Sequence, residues 1–514
     1  MCSQMLTHRL KRPLGPTTLM VFVVGALGMG SCAAVRGLNL DGGAGGNGGA
    51  SGNGGAGGTT SVTLPDAAAS NLDATTIADA DNADVEGACQ NLACQQTTCT
   101  KGRCRQMACP SGQKTTVTGV VFDPAGRVPL YNVAVFVPNA PLKPMTDGVV
   151  CGRCQATITN VVTSALTDVK GQFTLDDVPV GTNIPLVVQV GKWRRAVTIP
   201  RVTACTNTAL PGAELTRLPR NQQEGDLPRI ALTTGGDDAL ECMLRKIGID
   251  DREFTPETGS GRINLFAGVS GTDRYVAPLN GGAMFTPVVP WWDSVENLKK
   301  YDAVLYSCEG TPNPTNKSAA ALQAFQSYTD AGGRVFASHF HNYWLQHAQP
   351  PLSTAATFVS NQTALNELVS DLDVSFPKGG ALADWLMNVG ASTQRGKLLV
   401  RGARNTVSDV DAKVAQRWIF SDTPRSVQYL TTQTPVGLPE DQQCGRVVFS
   451  DMHVSTGIQT AMPRDRSLAG PGDPMLGFPF PTGCMSATQS PQELALEFML
   501  FDLSSCIQGV QVVP

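Results

Sequence analysis

The run TTLMVFVVGALGMGSCAAV at residues 17–35 sets the conditions under which the rest of this chain folds. Arg9, Lys11 and Arg12 precede a short apolar stretch, which closes on Gly30 and Ser31 before Cys32. A bilayer-spanning helix needs roughly 20 apolar residues. A basic start, a short apolar middle and a small-residue end make an export signal instead. An exported chain meets an oxidising compartment, where cysteines bridge. Of the fifteen cysteines, Cys2 and Cys32 belong to the signal and its end, leaving thirteen. An odd number leaves at least one thiol without an intrachain partner.

The Met29-Gly30-Ser31-Cys32 end resembles a bacterial lipobox. The resemblance implies a signal over 1–31 and an acylated Cys32 as the new N-terminus, so that the chain joins the membrane through a lipid anchor. Ala33 follows where an Asp would favour inner-membrane retention, so the expected location is the outer membrane or cell surface. The formal net charge is −4; losing the three basic residues of the signal brings the mature chain near −7. No basic stripe is present, so no nucleic acid is expected as a partner.

Residues 41–58, DGGAGGNGGASGNGGAGG, offer almost nothing apolar to bury, and 59–88 continue in Ala, Thr, Asp and Asn. The stretch 32–88 is a flexible tether. Cys89, Cys94, Cys99, Cys104 and Cys109 then recur every five residues within 89–112. A segment so short and polar needs staples, so a small disulfide module is expected. Zinc is the rival reading, but ligand pairs two to four apart and a nearby histidine are missing.

Residues 113–206 read as strands. TTVTGVVFD, the turn Pro124-Ala125-Gly126 and VPLYNVAVFVP alternate β-branched residues. Thr167-Asp168, Gly171-Gln172-Phe173 and Val178-Pro179-Val180-Gly181 complete a pattern of tight turns. This pattern resembles the carboxypeptidase regulatory-like domain, which implies a transthyretin-like (prealbumin-like) β-sandwich that acts as a spacer or a carbohydrate-binding module. Cys151-Gly152-Arg153-Cys154 interrupts the sandwich, where a redox role lacks its βαβ setting. A structural bridge is expected there, with Cys205 as a partner.

Residues 207–226 read as a linker. From 227 to 514 strands alternate with helices: Arg229–Leu232, a helix over 237–248, Asp302–Ser307, a helix over Lys317–Ala331, Arg334–Ser338, Arg446–Ser450 and a closing helix Pro491–Leu503. That alternation predicts a doubly wound parallel sheet, an α/β domain following the sandwich. Residues 350–443 read as an insertion with helices near 362–372 and 380–388. Cys242, Cys308, Cys444, Cys484 and Cys506 of this part are expected to include two bridges.

Four of the five histidines fall in this last part. His339, His341 and His347 follow one predicted strand, and His453 follows another. Ligands of open α/β sheets bind beyond the carboxyl ends of the strands. Glu309 and Asp451 share that rim. A divalent metal or polar-ligand site built from His339, His341, His453, Glu309 and Asp451 is therefore the candidate, set against buried, hydrogen-bonded histidines. Trp291, Trp292, Tyr343 and Trp344 read as core, with a sugar cleft as the alternative.

LQAFQSYTDAGGRVFASHF and GRVVFSDMH resemble the class I glutamine amidotransferase-like fold, in its trehalose-utilisation-like branch. The resemblance places His339 at the strand-end turn and His453 at the family's later histidine. The turn reads Ser338-His339-Phe340-His341 and lacks the cysteine that glutamine hydrolysis requires. Cys308 falls on another strand end, where the family places an oxyanion loop. Ser338 and His339 point to opposite faces as strand neighbours, so they form no nucleophile–base pair. The whole chain resembles a group of bacterial surface lipoproteins of the same tether, sandwich and α/β order. An eightfold βα repeat is absent, which argues against a tryptophan synthase-like barrel. The expected function is a non-catalytic envelope lipoprotein that binds polysaccharide or an envelope protein; the alternative is a metal-assisted hydrolase or sugar-modifying enzyme on the histidine rim.

Overall fold

In the sandwich two acidic side chains set the turns. The computed structural model describes residues 109–151, 161–360, 362–453 and 488–505, with 99–100, 103–104, 479–481 and 484. Asp123 Oδ1 accepts the amides of Arg127 (2.7 Å) and Val128 (3.1 Å), and Asp168 Oδ1 accepts those of Lys170 and Gln172 (both 2.8 Å). Gly171 closes the second turn at φ +70°, where a Cβ would meet the Val121 carbonyl oxygen at 2.8 Å.

The strands so connected are β1 (Thr116–Val120), β2 (Ala134–Pro138), β3 (Val161–Leu166), β4 (Gln172–Leu175), β5 (Gly181–Val190), β6 (Trp193–Val202) and β7 (Asn207–Ala209). They form a sheet β4-β1-β7 and a sheet β3-β2-β5-β6. Residues 207–226 are thus no free linker. Asn207–Ala209 pairs in parallel with β1, and the buried Arg217 guanidinium grips Glu224 at 2.6 Å.

Beyond this lies one eleven-stranded sheet. Its strands are β8 (Ile230–Thr233), β9 (Phe254–Thr255), β10 (Ile263–Ala267), β11 (Thr286–Pro287), β12 (Ala303–Tyr306), β13 (Arg334–Ser338), β14 (Ala364–Leu372), β15 (Lys397–Arg404), β16 (Ala415–Asp422), β17 (Arg425–Thr434) and β18 (Gly445–Ser450). The order is β9-β10-β8-β12-β13-β18-β17-β16-β14-β15, with β11 beside β10. From β9 to β18 every pairing is parallel, and β8, β12, β13 and β18 are buried along their whole length, with apolar centres and with Arg334 and Arg446 buried in the last two. From β18 onward the pairing turns antiparallel, so the sheet is mixed.

The stretch 350–443 supplies β14 to β17 and so extends the sheet. The helix expected near 362–372 is instead β14. Its residues alternate: Leu368 and Leu372 face inward, whereas Val369 is 59% exposed. Cross-strand ion pairs Glu367–Arg401 and Asp371–Lys397 hold it to β15. The neighbouring helix does form, as Pro377–Asn388.

The flanking helices carry readable ends. Ser318 caps Ala319–Asp330 by accepting the Ala321 amide at 3.1 Å. Ser490 and Glu493 form a reciprocal capping box on Pro491–Ser504. That last helix joins the two parts of the fold. Phe498 stacks on Tyr131 of the sandwich at 5.7 Å and lies edge-on to Trp385 at 5.4 Å. The Trp385 indole donates to the Pro129 carbonyl at 2.7 Å. One apolar core runs from Val117 and Trp193 through Ile230 and Trp385 to Phe501.

Among the described residues three disulfides join distant segments: Cys109–Cys205, Cys151–Cys444 and Cys242–Cys484. Cys205 therefore pairs with Cys109 and not with the Cys151-Cys154 motif, because β7 brings residue 205 back beside the start of β1. Cys109 closes the sandwich and leaves the five-residue repeat. The backbone at Cys99 pairs with that at Cys104 in a short antiparallel ribbon, Cys99–Thr100 with Arg103–Cys104. The signal, Cys32, the tether, Cys89, Cys94, Cys154 and Cys506 lie outside the described residues. Among the described residues no helix is long and apolar enough to cross a membrane.

Candidate functional site

The chain leaves β8 toward β10 on one side and returns to β12 on the other. The connections after β8 and β12 therefore run to opposite sides, which is the point of the carboxyl rim where open α/β sheets bind their ligands. The loop after β8, residues 234–238, is bound to the loop after β12 by the Asp237 amide donating to the Cys308 carbonyl at 2.9 Å. Gly235 is required at this crossing, since a Cβ there would collide with that same carbonyl.

Four adjacent strands each deliver one side chain to this rim. Asp238 follows β8, Cys308 follows β12, His339 follows β13 and His453 follows β18. His339 adopts φ +42° directly after the extended Ser338, a strained turn for a non-glycine residue costing roughly 1–3 kcal/mol. The turn throws the His339 ring back toward β12 and β18.

Cys308 Sγ lies 3.3 Å from His339 Nδ1, and the rings of His339 and His453 are 4.8 Å apart. One donor atom from each of Cys308, His339 and His453 falls within 4.8 Å of the other two. Cys308 is 0% exposed, His339 1% and His453 9%. Asp238 is wholly buried, accepts the Ser338 hydroxyl, and places Oδ1 3.5 Å from His453 Nδ1. Among the described residues, His339 Nε2 and both His453 ring nitrogens have no hydrogen-bond partner.

Burial, with Asp238 and Asp237 close by, pushes the Cys308 thiol well above its ordinary value. Burial, with His453 beside it, holds the His339 ring neutral far below its ordinary value. The contact is therefore one thiol proton shared with one neutral imidazole. Glu241, in the first turn of Leu240–Lys246 and wholly buried, is pushed up to about 8 by burial and by Asp238.

The other sequence candidates are engaged elsewhere. His341 accepts the Trp344 indole N–H on Nδ1 at 2.9 Å, which fixes the proton on Nε2, 3.0 Å from the Ser307 carbonyl. Burial, with Lys317 nearby, drops it to about 3. Glu309 pairs with the buried Lys317 at 3.0 Å and accepts from Asn313 and the Val269 amide. Asp451 takes both the amide and the hydroxyl of Thr406 at 2.6 Å, and burial raises it to about 6. These three carry the loops; His339 and His453 meet, and Cys308 joins them. The sequence signal for Cys308 was its place one residue beyond the DAVLYS strand, on the same rim. Trp291, Trp292 and Trp344 are core, at 2%, 0% and 0% exposure.

No family model and no curated protein matches the chain. Two solved type II cohesin–X-dockerin complexes from Acetivibrio cellulolyticus, an N-terminal and a C-terminal interface mutant, are similar at 16% identity. Each match covers 28% of this chain and 78% of theirs, with a TM-score of 0.14. A 9R-lipoxygenase from Cyanothece PCC8801 is similar at 15% identity over 23% of this chain and 19% of its own, with a TM-score of 0.11. Likenesses at this level carry no argument about fold or function.

Proposed function

We propose that this chain is an exported, lipid-anchored envelope protein whose sandwich and mixed-sheet part act as one non-catalytic binding body. The carrying observation is the set of three disulfides that clamp segments 96, 293 and 242 residues apart. Cytoplasmic thiol pools reduce such bonds, whereas the cell envelope preserves them. Cys32 is the lipid attachment point on this reading, and 32–88 the tether. The finer architecture belongs to the same proposal: a carboxypeptidase regulatory-like sandwich followed by a degenerate amidotransferase-like unit, with His339 at the elbow. A protonated thiol beside a neutral ring does not supply the thiolate that amide attack needs. On this reading the rim supplies no nucleophile.

Expression of the full chain in a Gram-negative host, with lipid labelling and membrane fractionation, tests the placement. Wild type is expected in the outer-membrane fraction and labelled, and Cys32→Ala unlabelled. An unprocessed, unlabelled soluble intracellular chain refutes it. Binding is tested by pull-down of envelope polysaccharide with the full chain; the absence of retention by any envelope fraction refutes that half. A metal-assisted hydrolase is the second reading, favoured by the convergence of Cys308, His339 and His453.

A further inference from the structure

We propose that Cys308, His339 and His453 bind one thiophilic late first-row metal ion, with zinc(II) as the reference ion and Asp238 as the carboxylate that positions His453. This goes beyond the envelope reading and does not rest on it, because it concerns the folded chain wherever that chain resides.

Donor chemistry comes first. One thiol sulfur and two imidazole nitrogens suit zinc or copper and are a poor set for calcium or magnesium, which take oxygen cages. The carboxylates nearest the cluster are either committed to hydrogen bonds, like Asp451, or placed behind a histidine, like Asp238.

Distance comes second. Bonds of about 2.3 Å to sulfur and about 2.0–2.1 Å to nitrogen put donors about 3.3–3.6 Å apart around a tetrahedral ion. Cys308 Sγ and His339 Nδ1 are already at 3.3 Å, and no donor pair of the three exceeds 4.8 Å. Closing the remaining gap takes side-chain rotation on the order of an ångström, with the backbone held by three adjacent strands.

Unpartnered nitrogens come third. A buried polar atom without a partner costs about 1–3 kcal/mol, and His453 Nε2 is such an atom, which an ion would take up. Asp238 Oδ1 faces His453 Nδ1, which assigns the ring proton to Nδ1 and frees the Nε2 lone pair for the ion. A carboxylate behind a ligating histidine is a recurrent device for fixing tautomer and ring orientation.

Charge comes fourth. On binding, the Cys308 S–H bond breaks, its proton goes to solvent and the sulfur lone pair forms the bond to the ion. Both rings bind through lone pairs and stay neutral. The ion's charge is then met by one thiolate, with Asp238 placed behind His453. Three protein ligands leave a fourth position open to a small exogenous donor.

The full chain, purified without chelator or thiol reductant, is stripped and titrated with zinc(II), and in parallel with cobalt(II) as an optical probe. The expected results are one equivalent of zinc, release of about one proton per ion as read by calorimetry in buffers of different ionisation enthalpy, and a thiolate-to-cobalt charge-transfer band. Cys308→Ser is expected to abolish the band, with folding checked by near-ultraviolet circular dichroism; His339→Ala takes its place if that variant does not fold. Asp238→Asn is expected to keep one site with affinity weakened about 10–100-fold. Elemental analysis of the chain as isolated identifies the ion. An intense visible charge-transfer band with copper(II) on the same ligands supports the site with copper as its occupant. Stoichiometry well below one in wild type, no proton release, or a cobalt band that persists without Cys308 and His339 overturns the proposal. None of these readouts depends on where the protein resides, so they fail independently of the envelope reading.

Discussion

Glu241 gives the sharpest test of the electrostatics beside the site. Its side chain is 1% exposed, Oε2 has no partner among the described residues, and Asp238 adds a like charge. Burial moves it from the ordinary 4.5 to about 8. A carboxyl group whose folded value lies above its unfolded one supports the fold fully below the unfolded value, and that support is lost as pH rises through the folded value. The shift of about 3.5 units, at about 1.4 kcal/mol each, bounds the loss at about 5 kcal/mol above pH 8. Glu241→Gln removes the titration but buries a second amide hydrogen without an acceptor, at about 1–3 kcal/mol. Wild type is therefore expected to be the more stable form near pH 4.5, and Glu241→Gln the more stable form above pH 8. Denaturant unfolding of both chains at half-unit steps across this range, with disulfides intact, measures the two curves. Curves that run parallel without crossing would mean that Glu241 ionises in the ordinary range, and the account of the buried acidic group would be refuted.

Other outcomes follow from packing. Phe498→Ala is expected to cost about 3–5 kcal/mol, because its ring stacks on Tyr131 and lies edge-on to Trp385. Its unfolding is expected to stay a single transition when tryptophan fluorescence is compared with far-ultraviolet circular dichroism; two separated transitions would break the claim of a shared core. Lys246→Met leaves the buried Glu493 carboxylate without its 2.6 Å partner, at about 3–5 kcal/mol, and Lys246→Met with Glu493→Gln is expected to recover much of that loss in the same unfolding assay. Ser490→Ala removes one half of the capping box and is expected to cost about 1 kcal/mol by denaturant midpoint.

The sequence was most informative where a local rule and the tertiary environment agree. The runs at 230–233, 303–306, 334–338 and 445–450 have apolar centres, as strands covered on both faces need, and each enters a parallel pairing. The Ser318 cap and the Gly332-Gly333 stop frame a helix within two residues of its expected ends. Residues 364–372 conflict: Ala, Leu and Glu favour a helix, but Leu368 and Leu372 alternate with the outward Glu367, Val369 and Asp371. Pairing with β15 makes that period of two decisive, and pairing is a non-local fact. Disulfide partners are non-local in the same way. The even spacing of Cys89 to Cys109 suggested a self-contained module, whereas Cys109 bonds a residue 96 positions away that β7 returns to it.

The rim shows the same division between local and non-local information. That histidines follow strands is legible in the chain, and it pointed to His339 and His453. Which of the rim residues converge depends on strand order. Cys308, His339 and His453 follow β12, β13 and β18, which are neighbours in the sheet although the chain separates the last two by more than a hundred residues. His341 is two residues from His339, yet the turn at φ +42° sends the two rings apart. One enters a hydrogen-bonded cage with Trp344 and Ser307, and the other approaches Cys308. The strained backbone at His339 therefore separates a structural histidine from one with donor capacity to spare. A glycine there would relieve the turn but would remove the nitrogen that reaches Cys308.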